Sequence, residues 1–289
     1  MAEEAGVAID IENLRQWIGR GDSDVDYVTI PSVHRLAATL DRDDPMPKVG
    51  DPLPPGWHYL LCPRVERHSL LGRDGHPEGG DFMPPVPLPR RMFASRRTEI
   101  VSPLQVGDTV KRSSAIKDVT LKEGRSGSLV FVTVRTEFHG PRGLAIIEEQ
   151  DNVFRGEPDK NTPRTAPQPA PGVAVWSRTV TPDPAMLFRY SALTFNAHRI
   201  HTDQLYATAV EGYPERVVNG GLTTLLVFEL VRAHAKTPLV YVSSRALQPL
   251  FVNRALTVCA EPSADGKAVK MWAVNDRGEL ALSATGRLA

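Results

Sequence analysis

The sequence predicts an α+β chain made of two like units, each a curved antiparallel sheet wrapped around one helix. Three observations predict it. Residues 219–235 (Asn219-Gly-Gly-Leu-Thr-Thr-Leu-Leu-Val-Phe-Glu-Leu-Val-Arg-Ala-His-Ala235) are apolar on nearly every helical face, as a helix buried on all sides must be. Trains of alternating apolar and polar residues, the period of half-buried strands, stand in both halves of the chain. The opening of one train, Pro103-Leu104-x-Val106, recurs about half the chain later as Pro249-Leu250-x-Val252, which points to an internal duplication.

Taken in order, residues 31–40 (Pro31-Ser-Val-His-Arg-Leu-Ala-Ala-Thr-Leu40) set Leu36 and Leu40 on one helical face, and this is the expected first-unit counterpart of the buried helix. Twenty-five prolines follow an uneven distribution. One cluster runs from Pro45 to Pro89, through Pro52, Pro54, Pro55, Pro84, Pro85 and Pro87. Proline donates no ladder hydrogen bond, so this stretch is expected as an ordered surface excursion lining a site. Strands are expected at 110–119, 128–137 and 144–152. A second cluster, 157–171, has almost no apolar side chain and reads as a linker between units at 1–156 and 172–289. After it come the helix, capped by Asn219, and strands at 255–261, 268–275 and 280–287.

Lys+Arg and Asp+Glu number 34 each, so no basic excess exists to neutralise a phosphate backbone, and nucleic acid is excluded as an expected partner. Cys62 and Cys259, the two cysteines, sit in apolar stretches and read as reduced core thiols of a cytoplasmic protein. No apolar run approaches 18 residues and the N-terminus is acidic, so neither a membrane partner nor an export signal is expected. Gly-x-Gly-x-x-Gly, phosphate-loop, Gly-x-Ser-x-Gly and Cys-x-x-Cys patterns are absent, which disfavours a nucleotide enzyme or a serine hydrolase.

Chemistry concentrates just ahead of the buried helix, in Asn196-Ala-His198-Arg199-Ile200-His201-Thr-Asp203. One reading is a polar loop with two surface histidines. Another is a metal site, but His198 and His201 lack a carboxylate or thiolate at established ligand spacing.

This stretch resembles the Asp-x-Asn-Pro-x-His-x-Asp/Glu signature of the MaoC-like, R-specific enoyl-thioester hydratases and dehydratases. Within that group the chain is similar to the double-hotdog branch, which includes mitochondrial hydroxyacyl-thioester dehydratase type 2, mesaconyl-C4-CoA (3-methylfumaryl-CoA) hydratases and itaconyl-CoA hydratases. Leu71-Gly-Arg-Asp-Gly-His-Pro77, Pro84-Pro-Val-Pro-Leu-Pro-Arg-Arg-Met92, Gly124-Arg-Ser-Gly-Ser-Leu-Val-Phe-Val-Thr133 and Glu211-Gly-Tyr-Pro214 fit the same branch. The resemblance implies a double hotdog whose second unit carries the site and whose first is non-catalytic and shapes the acyl pocket. It implies reversible hydration of an enoyl-CoA with no metal or redox cofactor, CoA being part of the substrate. The preferred substrate is a branched C5 dicarboxylic acyl-CoA, mesaconyl-C4-CoA or itaconyl-CoA, giving citramalyl-CoA. A homodimer of the fused units through sheet-edge pairing completes the expectation.

Hydration needs a base for the water that attacks C3, an acid for C2, and donors for the enolate oxygen. On the resemblance His201 takes the catalytic histidine's place. Asn196 stands where the family has aspartate, and an amide orients water without accepting its proton. His198 would help position water or thioester, and Asp203 would cap the next turn. Gly220 and Gly221 would leave first-turn N–H groups open to the thioester oxygen, or else serve close packing of the helix start. The run Pro89-Arg90-Arg91-Met-Phe-Ala-Ser-Arg96-Arg97 has no matching acidic run nearby in sequence. It reads either as a solvated face or, through Arg90 and Arg91, as a site for CoA phosphates or a distal substrate carboxylate. The alternatives are a general (R)-3-hydroxyacyl-thioester dehydratase on CoA or acyl-carrier-protein substrates, a non-catalytic acyl-thioester-binding module, and a thioesterase. For the last, Glu229 lies two turns into the helix, poorly placed as a base.

Overall fold

A computed structural model describes residues 9–77, 82–124, 127–156 and 166–289. Along them run α1 (Ile11–Arg15), β1 (Gly21–Tyr27), α2 (Ile30–Thr39), β2 (Arg90–Ile100), β3 (Thr109–Gly124), β4 (Gly127–Gly140), β5 (Gly143–Arg155), β6 (Trp176–Val180), α3 (Pro184–Leu193), α4 (Arg199–Thr202), α5 (Gly220–His234), β7 (Leu239–Ala246), β8 (Leu256–Pro262), β9 (Ala268–Val274) and β10 (Leu280–Leu288). The ten strands form one antiparallel sheet in the order β1-β3-β4-β5-β2-β7-β10-β9-β8-β6. Read inward from its two edges, each half repeats the same order, with every strand of the first matched by the strand five later. The halves join where β2 pairs with β7, Arg96 opposite Ser244 and Thr98 opposite Val242. The duplicated Pro-Leu-x-Val segments fall in the equivalent β2–β3 and β7–β8 connections, and Leu104, Val106, Leu250 and Val252 are all buried in one core.

The alternating trains are β3–β5 and β8–β10, each close to its expected span. α5 is the buried helix, with every residue from Leu222 to Val231 buried. Its first-half counterpart is not residues 31–40. α2 occupies the place in the first half that α3 holds in the second, just after the edge strand, and the two pack against each other. Both begin the same way: Thr29 Oγ1 accepts from Ser32 N–H, Asp183 Oδ1 accepts from Met186 N–H, and a proline follows each cap. No long central helix follows α2 among the described residues, because the prolines between β1 and β2 break any helical ladder.

The proline-rich segment is a surface excursion only in part: 45–52 and 63–77 lie mostly at the surface, but the stretch between them is buried. Its turn at Trp57–Leu60 is 3₁₀, with Tyr59 N–H bonded to Gly56 O and Leu61 N–H to His58 O, and it buries Trp57, His58 and Leu60. Gly56, at φ +83°, lies so close to α5 that a Cβ there would stand 2.7 Å from Leu225 Cδ2 and 2.8 Å from Phe228 Cδ2. Further along, Phe82, Met83, Val86 and Leu88 pack with Leu14 onto a smaller core under Ile116, Val119, Val130 and Val132. The first half thus fills its sheet with this segment instead of a helix. Of the expected linker, 157–165 lie outside the described residues. Beyond them, Leu280 N–H donates to Gln168 O, and Pro169 bridges Glu279.

The run 89–97 is a solvated face only at its start, where Arg91 and Met92 are exposed: Arg90–Ile100 form β2, and for Arg96 and Arg97 antiparallel pairing supplies the acidic partners that sequence proximity does not. Arg97 grips Asp151 (2.7 Å) and Glu149 (3.3 Å) on β5, while Arg96 faces Glu148 at 3.3 Å. Cys62 and Cys259 are free and buried, as expected of reduced thiols. No helix among the described residues is long and apolar enough to cross a membrane.

Candidate active site

After α3, Phe195 adopts a left-handed φ of +50°, an uncommon conformation for a non-glycine residue, and turns the chain sharply into α4. Asn196 Oδ1 accepts the His198 N–H at 2.9 Å, and Asp203 Oδ1 accepts the Tyr206 N–H at 3.0 Å, the cap expected of it. The short helix between them is thereby fixed at both ends, and Arg199, paired with Asp203 at 2.6 Å, braces its outer side.

His201 is buried, 7% exposed, and its Nδ1–H donates to Val217 O at 2.7 Å. Because a carbonyl only accepts, this bond fixes the tautomer and leaves Nε2 as the basic nitrogen. Burial pushes its pKa down to about 4, against the raising effect of the Val217 bond, so the imidazole is neutral at pH 7. The ring of His198 stands edge-on to His201 with centroids 5.4 Å apart, and burial brings its pKa down to about 3.

The chain runs from Val217 directly into α5. Asn219 holds the N-cap position but does not cap. Its Nδ2–H donates to Ser191 Oγ at 3.2 Å, its side chain makes no capping bond to the first turn, and its buried Oδ1 is without a partner among the described residues. The expected cap fails because the amide turns back toward α3. The consequence is that the N–H groups of Gly220 and Gly221 have no capping side chain. The two glycines differ: a Cβ on Gly220 would meet nothing within 4 Å, whereas one on Gly221 would lie 2.3 Å from the Tyr190 Oη. Gly220 leaves open space at the helix start, and Gly221 makes room for a buried tyrosine.

A second set of groups reaches this place from the first half, with no signal in sequence spacing. The loop closed by the Leu71–Pro77 bridge lies against α4: Arg199 N–H donates to Asp74 O (2.8 Å) and its Nη1–H to Arg73 O (3.0 Å). His76 Nδ1–H donates to Asp74 Oδ2 at 2.9 Å, and its ring lies 4.1 Å from that of His198. One donor atom each of Asp74, His76 and His198 falls within a 4.8 Å cluster, so tertiary structure brings a carboxylate to the histidines that spacing alone did not. With Asp74 already holding the Nδ1–H of His76, the three form a hydrogen-bonded dyad against a third ring.

Arg90 and Arg91 open β2. Arg91 is exposed, its Nη2–H donates to Asn152 Oδ1 at 3.3 Å, and its guanidinium lies 5.9 Å from the Phe154 ring centre. Glu229 is committed to structure. It accepts Trp57 Nε1–H at 2.7 Å and pairs with Arg42 (2.7 Å) and Arg232 (3.2 Å), which leaves no free carboxylate there for thioesterase chemistry.

One helix buried against an antiparallel sheet whose strand order is laid out twice in one chain, with histidines gathered at the helix start, is the arrangement of a double-hotdog dehydratase. In a MaoC-like dehydratase from Phytophthora capsici the same fold recurs, with a TM-score of 0.69 at 13% identity over 97% of this chain and 98% of that one. The chain belongs to the hydroxyacyl-thioester dehydratase type 2 family, which residues 56–252 match. It is 44% identical over 274 residues to the mesaconyl-C(4)-CoA hydratase of Chloroflexus aurantiacus, covering 94% of this chain and 96% of that one. The mitochondrial hydroxyacyl-thioester dehydratase type 2 of Schizosaccharomyces pombe is 27% identical over 265 residues, covering 81% and 88%. The chain is accordingly an enzyme of the hydro-lyase class.

Proposed function

We propose that the chain reversibly hydrates an α,β-unsaturated acyl-CoA, its substrate a branched C5 dicarboxylic acyl-CoA, mesaconyl-C4-CoA or itaconyl-CoA, and its product citramalyl-CoA. The observation that carries the reaction is the neutral, tautomer-fixed imidazole of His201, anchored just ahead of an uncapped glycine helix start. The substrate rests on the relative that is 44% identical over nearly the whole of both chains.

In this reading His201 Nε2 takes a proton from water as the oxygen bonds C3. The thioester oxygen gathers negative charge and is met by the first-turn N–H groups of Gly220 and Gly221, aided by the positive helix end. Asn196 holds the backbone of His198, and His198 forms the wall beside the base. Arg90 and Arg91 receive CoA phosphates or the distal carboxylate. No metal or redox group enters the reaction as proposed. The proposal takes the enzyme as a cytoplasmic homodimer of fused units, for sedimentation and fractionation to test.

The experiment is purified protein against crotonyl-CoA, mesaconyl-C4-CoA and itaconyl-CoA, following loss of enoyl-thioester absorbance and product mass. Gain of one water on the dicarboxylic substrates alone is expected. Turnover of crotonyl-CoA alone would transfer the assignment to a general dehydratase, and inactivity on all three would refute a hydratase of this substrate class.

A further inference from the structure

Hydration moves two protons, and the side chain standing where the family's aspartate belongs moves none: Asn196 is an amide, its Oδ1 engaged by the His198 N–H. The Asp74–His76 dyad lies beside this gap. Its loop is held closely, since a Cβ on Gly75 (φ +88°) would stand 2.1 Å from Ala197 O, one residue before His198. Only glycine permits that approach. The His76 N–H donates to Asp74 Oδ1 while its ring Nδ1–H donates to Oδ2, so the carboxylate fixes both the backbone and the tautomer. Nε2 is left for other partners, on a side chain 52% exposed. Three imidazoles, His76, His198 and His201, therefore run in ring contact from solvent to the buried base.

We infer that His76, oriented by Asp74, is the general acid of the reaction, delivering the proton that C2 receives. The inference rests on the hydratase reading above. In the hydration direction the C3–O bond forms as a water O–H bond breaks toward His201 Nε2. The former π pair resides on the enolate, then forms the C2–H bond with the Nε2 proton of a doubly protonated His76, whose Nδ1–H stays on Asp74 and which is left as the neutral tautomer. His201 ends with one proton more and His76 with one fewer. Exchange with solvent water restores both, and the exposed His76 is the group placed for it. The electrostatics agree: burial and then the charge of His76 hold His198 low, and that charge also lowers His201. Asp74, although burial raises it, is brought below the usual carboxylate range by the hydrogen bonds from His76, so it stays ionised as the orienting partner. The first half of the chain then contributes chemistry as well as a pocket wall.

The test compares His76→Ala, His76→Gln and Asp74→Asn with wild type, each checked for an unchanged melting temperature. The expected loss in kcat for both His76 variants is about 100-fold, within the range a positioned acid contributes, with KM near wild type. Added imidazole should restore part of the His76→Ala rate, which a merely structural residue would not allow. In the dehydration direction in D₂O, recovered citramalyl-CoA should carry deuterium at C2 with wild type and far less with His76→Gln. Turnover within three-fold of wild type in both His76 variants, with unchanged exchange at C2, would overturn the assignment while leaving the hydratase reading standing. A wild-type enzyme inactive in both directions would remove both.

Discussion

Gly220 and Gly221 are adjacent, yet alanine at each should fail in a different way. At Gly221 a Cβ would lie 2.3 Å from the Tyr190 Oη but at an ordinary 3.4 Å from its Cζ, so the conflict is with one hydroxyl oxygen. Tyr190 is buried, 4% exposed, and cannot swing into solvent without leaving the core. Overpacking of this kind costs about 1–3 kcal/mol, and alanine recovers up to about 1 kcal/mol in helix propensity. The net loss of about 1–2 kcal/mol corresponds, for a chain of 289 residues, to a fall in Tm of about 2–3 °C. Removing the hydroxyl should undo it, so Gly221→Ala combined with Tyr190→Phe should recover most of that Tm. At Gly220 the methyl meets open space, so Gly220→Ala should be as stable as wild type or slightly more so. Its methyl instead projects where the thioester oxygen is proposed to bind, and kcat should fall at least about ten-fold, part of the 10²–10³ that loss of an oxyanion donor costs. Differential scanning calorimetry and initial rates on one substrate measure both. A Gly220→Ala enzyme with unchanged kcat would refute the proposed oxyanion site, and a Gly221→Ala Tm that Tyr190→Phe fails to rescue would refute the packing argument.

His201→Ala should lose activity by several orders of magnitude under initial-rate assay. Because the base works neutral and its pKa is pushed down to about 4, the loss of activity on the acid side should come only as pH falls through about 4; an acid-side loss already near 6.5 would contradict its burial. Stability follows the same sign: between about 6.5 and 4 the unfolded chain binds protons at His198 and His201 that the fold refuses, so denaturant midpoints should fall on acidification, less steeply in His198→Gln. Glu229→Ala strands Trp57 Nε1–H and two arginines and should cost about 3–5 kcal/mol in chemical denaturation, with the turnover of folded enzyme retained. Exchanging Arg90 and Arg91 for glutamate should raise KM far more for the dicarboxylic substrates than for crotonyl-CoA if the arginines meet a carboxylate, and equally for both if they meet CoA phosphates.

What sequence made legible divides along physical lines. β3–β5 and β8–β10 show their period because one face is buried and the other wet. β1 (Gly-Asp-Ser-Asp-Val-Asp-Tyr) shows none, being a polar edge strand exposed along nearly its whole length. β2 read as a charged patch because Arg96 and Arg97 meet their carboxylates across the sheet, some fifty residues away in sequence. The helix at 31–40 was visible as a helix, but its equivalence to α3 shows only in the placement of both after an edge strand. His198, His201 and Asn196 lie within six consecutive residues and were found together. Asp74 and His76 are brought to them from the far half of the chain. The Asp-Gly-His turn is the local trace of that contact, and nothing in it says which surface it meets.

The β2–β7 seam sets the two halves side by side in one polypeptide, and this changes what a mutation means. Were the same sheet assembled from two identical chains, every substitution would occur twice, and a proline that dissolved the central helix on one side would dissolve it on the other. Joined end to end, the halves answer to separate codons. One half could fill its sheet with a proline-rich segment, while the other kept its buried helix. The asymmetry of the molecule is therefore heritable in a way no symmetric dimer could sustain.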